Sequence, residues 1–163
     1  MGQPALFLLY RLISWPLAGI FLFSGTTKLL DPERFSIIIA AYGLIPDVTI
    51  LPVALLLSLL EVLAGLGLLL HLRWALETVT ALIVLFMLIL GYGLFMGLDV
   101  DCGCFGPGDP EGEAFHSLRP ALYRDTVLLC ACAVLFWGRR KIARPSLSLG
   151  QWFEQWIPRR TQR

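Results

Sequence analysis

The sequence predicts an all-α membrane protein: a four-transmembrane-helix up-down bundle with a short interfacial helix after the first span and a C-terminal amphipathic helix. Three observations lead there. The 163-residue chain is 57% hydrophobic and only 15% charged, with a mean hydropathy of +0.74, which is a membrane protein's balance. Its apolar residues gather into four stretches of a length that can cross a bilayer, for which a helix needs about 17–25 residues. Its cations crowd onto one set of connections, as they do when a chain is threaded with its positive side inward.

The first span is expected from about Leu6 to Thr27, with Arg11 able to snorkel to an interface and Pro16 placed to bend the helix. Small residues close it, Ser24-Gly25-Thr26-Thr27, and small residues let helices approach closely. Asp31-Pro32-Glu33 then reads as a helix start, with Asp at the cap, Pro at the first helical position and Glu in the first turn. Phe35, Ile38, Ile39 and Tyr42 recur at helical spacing and make one apolar face on a piece too short to span, and Gly43 stops it. This helix is expected to lie along the membrane surface.

Asp47 and Pro52 mark the turn into a second span, about Ile50 to Leu70. Glu61 falls near its middle, and an ionisable group at that depth is either functional or a neutral acid whose hydrogen bonds lock helices together. No cation is expected at its level, so Glu61 is expected to be neutral, held by a hydroxyl or a carbonyl. His71-Leu72-Arg73-Trp74 form a short connection in which His71 is expected to be solvated. The third span covers about Ala75 to Leu98, with Glu77 close enough to its end to be wet. The fourth runs from about Ala121 to Trp137, preceded or opened by Arg119, Arg124 and Asp125. Cys130 and Cys132 lie within it on nearly opposite faces, since successive helical residues turn by about 100°, and read as packing residues. Residues 1–144 thus form the transmembrane domain. Residues 145–163 form a tail in which Leu149, Trp152, Phe153, Trp156 and Ile157 have the spacing of an interfacial helix, followed by Arg159, Arg160 and Arg163.

Charge placement gives the orientation. Of the 13 Lys and Arg residues, nine fall on the side of the termini (Arg11, Arg73, Arg139, Arg140, Lys141, Arg144, Arg159, Arg160, Arg163). Four fall opposite (Lys28, Arg34, Arg119, Arg124). Both termini are therefore expected in the cytoplasm, in a bacterial inner membrane. A net charge of +1 gives no basic footprint for nucleic acid.

The outward loop between the third and fourth spans carries the chemistry. It holds five acidic residues (Asp99, Asp101, Asp109, Glu111, Glu113) and the turn Cys102-Gly103-Cys104-Phe105-Gly106. Residues two apart in a bent chain bring their Cα atoms roughly into the ~4.4–6.8 Å window of a disulfide. The small ring they close is strained, and strained, exposed disulfides are oxidising and labile. The periplasmic side is also where disulfides persist. Cys102 and Cys104 are thus the candidate catalytic pair, with Lys28 and Arg124 as cations able to lower a thiol's pKa and Glu61 as a candidate proton carrier. Two other readings of the pair stand beside this one. It is a static staple of a non-catalytic scaffold subunit, or half of a soft-metal site, although a closed zinc site needs four ligands and the loop adds only His116 and carboxylates.

Taken together, Ser24-Gly25-x-x-Lys28-Leu29-x-Asp31-Pro32-x-x-Phe35, Tyr42-x-Leu44-x-Pro46, Glu61 with Gly65, Cys102-Gly103-Cys104-Phe105-Gly106 and Arg124-Asp125 resemble the MauE/DoxX family, most of all its methylamine-utilisation MauE branch. The resemblance covers about Leu12 to Leu135. Arg124-Asp125 departs from the Arg-Asn expected of the family at the start of the last span. What the resemblance implies is a four-helix membrane protein of extracytoplasmic thiol redox chemistry. It would support maturation of exported cysteine-rich proteins with a periplasmic thioredoxin-like partner. Through the DoxX-like relatives, the resemblance also implies quinone as the electron carrier.

Overall fold

The computed structural model describes residues 3–98 and 118–141. Five helices account for them: α1 (Gln3–Leu30), α2 (Pro32–Ala41), α3 (Asp47–Leu69), α4 (Arg73–Met96) and α5 (Leu118–Lys141). Four of these, all but the ten-residue α2, are long and apolar enough to cross a membrane. The chain is therefore an all-α, multi-pass membrane protein. The expected C-terminal amphipathic helix and the Cys102–Cys104 turn lie outside the described residues.

Local chemistry sets the helix ends. Asp31 caps α2 by accepting from the Arg34 backbone N–H at 3.2 Å, with Pro32 opening the helix, and Gly43 leaves it at φ +62°. Gly97, at φ +66°, closes α4 with the Leu98 N–H returning to the Gly93 carbonyl at 2.9 Å, a left-handed C-terminal cap. Two helices begin ahead of the apolar stretches they contain. α3 begins at Asp47 and carries Pro52 as its sixth residue, past the first turn, where the ring removes an N–H that the helix would otherwise bond. α5 begins at Leu118, so that Arg119, ahead of the apolar stretch, is helical together with Arg124 and Asp125, which open it.

The four long helices close a ring in which α1 packs on α3, α3 on α4, α4 on α5 and α5 back on α1. Neighbours run antiparallel. Gly25 lies against Glu61 and Val62 while Gly65 lies against Ala18 and Leu22, and Gly93 meets Leu118 while Arg139 reaches Arg73 and Glu77. The core is built from Leu17, Ala18 and Phe21 of α1, Ala64 and Leu68 of α3, Leu76, Val79 and Ile83 of α4, and Cys132 and Leu135 of α5. Large apolar side chains such as Leu56, Leu88 and Val127 point outward, which in water would be a fault but in lipid is the ordinary outer surface. Of the two thiols in α5, Cys132 is buried and Cys130 exposed, as their 200° separation on a helix requires. The short α2 turns Phe35 and Tyr42 inward, and Tyr42 packs on Gly93 of α4.

Candidate functional site

Below the loop-bearing end of the bundle, five polar side chains meet inside the hydrocarbon-facing shell. Gly25 makes the meeting geometrically possible. A Cβ at that position would stand 2.9 Å from Glu61 Cβ and 2.8 Å from Val62 Cγ2, so only the absence of a side chain lets α1 come this close to α3. One turn further along α1, Lys28 extends its Nζ to Glu61 Oε1 at 2.6 Å. Ser24, one turn the other way from Lys28, donates its hydroxyl to Glu61 Oε2 at 3.0 Å. The lysine and glutamate side chains are only 4% and 1% exposed. That burial decides the electrostatic character of the contact, because water does not screen it.

The expectation of a glutamate without a cation at its level is thereby overturned. The hydroxyl partner is present, but Lys28 is too. Side chains on a helix lean toward its N-terminus. On antiparallel α1 and α3 this tilts Lys28 and Glu61 toward each other along the membrane normal, and four methylenes close the remaining gap. The Lys28 ammonium also lies 4.9 Å from the centroid of the Phe35 ring and 4.8 Å from that of Phe86, within the range of cation–π attraction. Phe35 comes from α2 and Phe86 from α4, so one ammonium ties three elements to α1.

Arg124 and Asp125 complete the cluster from α5. Arg124 Nη2 and Nε donate to Asp125 Oδ1 at 3.2 and 3.3 Å, and the Asp125 side chain is 7% exposed. Asp125 Oδ2 is buried without a hydrogen-bond partner among the described residues. A cavity of about 30 Å³ lies between Ser24, Lys28, Glu61, Arg124 and Asp125, room for one water. The structure thus brings Glu61, Lys28 and Arg124, three of the sequence-predicted site residues, to a single cavity. It adds Ser24, which supplies the hydroxyl expected at Glu61, and Asp125, which no spacing in the sequence pairs with the cluster. Two cations and two carboxylates balance, so the cluster is neutral as a whole when all four are ionised.

A second cavity, of about 120 Å³, opens on the other side of Lys28, between α2, α3 and α4. Its walls are apolar apart from Lys28 and the Tyr42 phenol, and they include the Phe35, Ile38, Ile39 and Tyr42 face of α2. That face is therefore turned onto the bundle. Lys28 and Phe86 line both cavities and form the partition between them. Cys102 and Cys104 lie outside the described residues, between α4 and α5 in the sequence.

At the opposite end, Arg139 Nη2 contacts Glu77 Oε1 at 2.6 Å and Arg139 Nη1 donates to the Arg73 carbonyl at 3.1 Å. His71, expected to be solvated, instead takes a left-handed backbone conformation, φ 55°. Its two ring nitrogens are buried without hydrogen-bond partners among the described residues, and its ring centroid is 6.0 Å from that of Tyr10. Burial first, and the nearby Arg11 cation second, hold its pKa below 6.5.

No match is found among the curated proteins or among the solved structures. The family model described as methylamine utilisation protein MauE matches residues 6–138, a stretch that reaches into all four spans and contains the buried Lys28–Glu61 pair, Arg124, Cys102 and Cys104. A four-span chain matched over that length belongs to the MauE family.

Proposed function

We propose that this protein is a membrane thiol–disulfide exchange protein whose Cys102-Gly103-Cys104 turn works outside the cytoplasm on a thioredoxin-like partner or an exported cysteine-rich protein. The observation that carries the reading is the position of this dithiol. In the sequence it lies between α4 and α5, and nine of the 13 cations are expected on the side of the termini. By the positive-inside rule that segment faces an oxidising compartment. Membership of the MauE family agrees with a membrane location for the chemistry.

Exchange is a two-electron step. The thiolate of one cysteine attacks the partner's disulfide and forms a mixed disulfide, expelling one partner thiolate. The second cysteine, on losing its proton, then attacks the mixed disulfide, closes the Cys102–Cys104 bond and expels the other partner thiolate. Two electrons and two protons have then passed to the partner. Run backwards, the same steps oxidise the partner. Within the bundle Lys28 points inward to Glu61, and its charge holds the carboxylate in place. Arg124, together with Asp125, provides the polar floor nearest the start of α5.

Single Ser substitutions at residues 102 and 104 test the reading. Each abolishes exchange while the protein remains at normal abundance, because the spans and not the loop hold the fold. Only the variant lacking the resolving thiol accumulates a covalent complex with its partner. If both variants keep full activity, or both lose abundance and neither traps a partner, the pair is a staple of a scaffold subunit. Copper or zinc that copurifies and is lost on alkylation of the two thiols would instead mark a metal-handling loop.

A further inference from the structure

We propose that the cavity bounded by Ser24, Lys28, Glu61, Arg124 and Asp125 is a water site, and that the water it binds relays protons between the Lys28 ammonium of α1 and the Asp125 carboxylate of α5. Size selects the ligand. The cavity's volume of about 30 Å³ exceeds the ~10–15 Å³ that one water needs and leaves no room for an organic molecule. Size alone does not hold water inside a membrane bundle, because a bound water also needs about two to four polar partners. The apolar chamber between α2, α3 and α4, on the other side of Lys28 and Phe86, is larger, but apolar cavities stay dry.

The smaller cavity supplies the partners. Asp125 Oδ2 is buried and accepts no hydrogen bond from the described residues, in a side chain that is only 7% exposed, and a buried charged acceptor left unmet is costly. From α1, Lys28 brings an ammonium with three N–H donors, of which Glu61 accepts one. A water that donates to Asp125 Oδ2 and accepts from Lys28 Nζ uses both of these groups. α4 contributes only Ile83 and Phe86 to the lining. The charged groups that face Asp125 among the described residues are therefore Arg124 on its own helix, Lys28 on α1 and Glu61 on α3.

The transfer balances within the cluster. An N–H bond of Lys28 breaks as the water takes that proton, and one of the water's own O–H bonds breaks as its proton joins Asp125 Oδ2. The water is restored, Lys28 becomes a neutral amine and Asp125 a neutral acid, and the net charge of the cluster is unchanged. Discharging both ions removes the desolvation penalty that each carries in a low-dielectric interior, which makes the neutral pair an accessible state. Side-chain exposure falls from 20% at Arg124 and 7% at Asp125 to 4% at Lys28. Asp125 is thus the member that trades its proton with the outside, and the reverse transfer delivers an outside hydrogen to Lys28. Neither Cys102 nor Cys104 takes part, so the relay stands or falls apart from thiol exchange.

Nuclear magnetic resonance of the full-length chain in detergent tests both halves of the proposal. Lys28 and Lys141 are the chain's two lysines, so nitrogen-15 lysine in a Lys141→Arg background leaves Lys28 as the single labelled ammonium. Its hydrogens are expected to show cross-relaxation with a long-lived water and to exchange with solvent. Leu128→Phe, which adds bulk to the cavity wall and keeps every polar group, should remove the water contact and slow exchange about a hundredfold, the lower end of what a positioned proton-transfer group contributes. Asp125→Asn, which keeps the shape but takes no proton, should retain the water contact and slow exchange to a similar degree. No water contact at Lys28 in the parent protein overturns the water site. Exchange that is unchanged or faster in either variant overturns the relay.

Discussion

Lys28 and Glu61 show what a charge must do to stay inside a membrane bundle. Each ion is desolvated at a cost of several kcal/mol, and the pair persists because each ion finds the other together with Ser24 and two aromatic faces. Removing one partner strands the other, so Lys28→Met should lower stability by about 3–5 kcal/mol. Lys28→Met with Glu61→Gln should lose far less than the sum of the two single changes, because residues in direct contact couple. Thermal unfolding of the four proteins in one detergent, followed by tryptophan fluorescence, measures the cycle; additive losses would show that the contact contributes nothing. His71 supplies a pH dependence of definite sign. Above about pH 6.5 its imidazole is neutral in folded and unfolded chains alike. Below that value the unfolded chain takes up a proton that the folded chain resists, so stability falls on acidification until the lowered folded pKa is passed. His71→Asn, which tolerates the left-handed backbone at φ 55°, should flatten this acid limb. An unchanged limb would assign the effect to another group.

At the level of elements, α1 and α3 are joined through glycine. A methyl group at Gly25 would meet Glu61 Cβ at 2.9 Å and the Val62 backbone nitrogen at 2.9 Å, closer than packed atoms tolerate, so the two helices must part. Gly25→Ala should therefore cost about 1–3 kcal/mol as an overpacking change. It should also lengthen the Lys28–Glu61 contact. Gly19→Ala, on the same helix with nothing within 4 Å of the added Cβ, is the matched control and should be neutral or slightly stabilising. Equal melting temperatures for the two variants would show that α1 and α3 do not pack as described. The short α2 works differently, since its ten residues could not hold a helix alone. Its cap at Asp31 starts it, and burial of Phe35 and Tyr42 keeps it on the bundle, where it roofs the chamber beside Lys28.

The whole molecule is a ring of four antiparallel spans with a polar cluster off-centre, toward the end that carries the α1–α2 turn, the start of α3, the end of α4 and the start of α5. The other end carries Arg73 and Arg139, and the basic run Arg139, Arg140, Lys141 closes α5. This asymmetry supports a cytoplasmic location for the termini. In intact cells, an impermeant thiol reagent should reach reduced Cys102 and Cys104 but not a cysteine placed at position 71 in a chain otherwise free of thiols. Labelling of position 71 and not of the loop would invert the topology.

Much of this was legible in the residues. Four apolar stretches of spanning length fix four helices, since no other backbone except a closed barrel satisfies its own hydrogen bonds in lipid. The Asp31-Pro32-Glu33 start and the Gly43 stop of α2 are local chemistry, readable at a glance, and so is the spacing that puts Cys130 and Cys132 on different faces. The Cys102-Gly103-Cys104 turn and Glu61 stood out because thiols two apart and a carboxyl amid leucines are rare enough to be noticed singly. The sequence did not disclose that Lys28 and Glu61, 33 positions apart, are partners. Counting residues from the span ends placed one near an interface and the other near the middle. It was the depth to which Gly25 lets α1 sink against α3, and the opposed tilt of side chains on antiparallel helices, that brought them to 2.6 Å. Likewise Asp125 read as the start of a span and His71 as a wet loop residue. Both are buried in whole or in part because helices from elsewhere in the chain close over them, and such closure is a property of packing that a linear pattern does not carry.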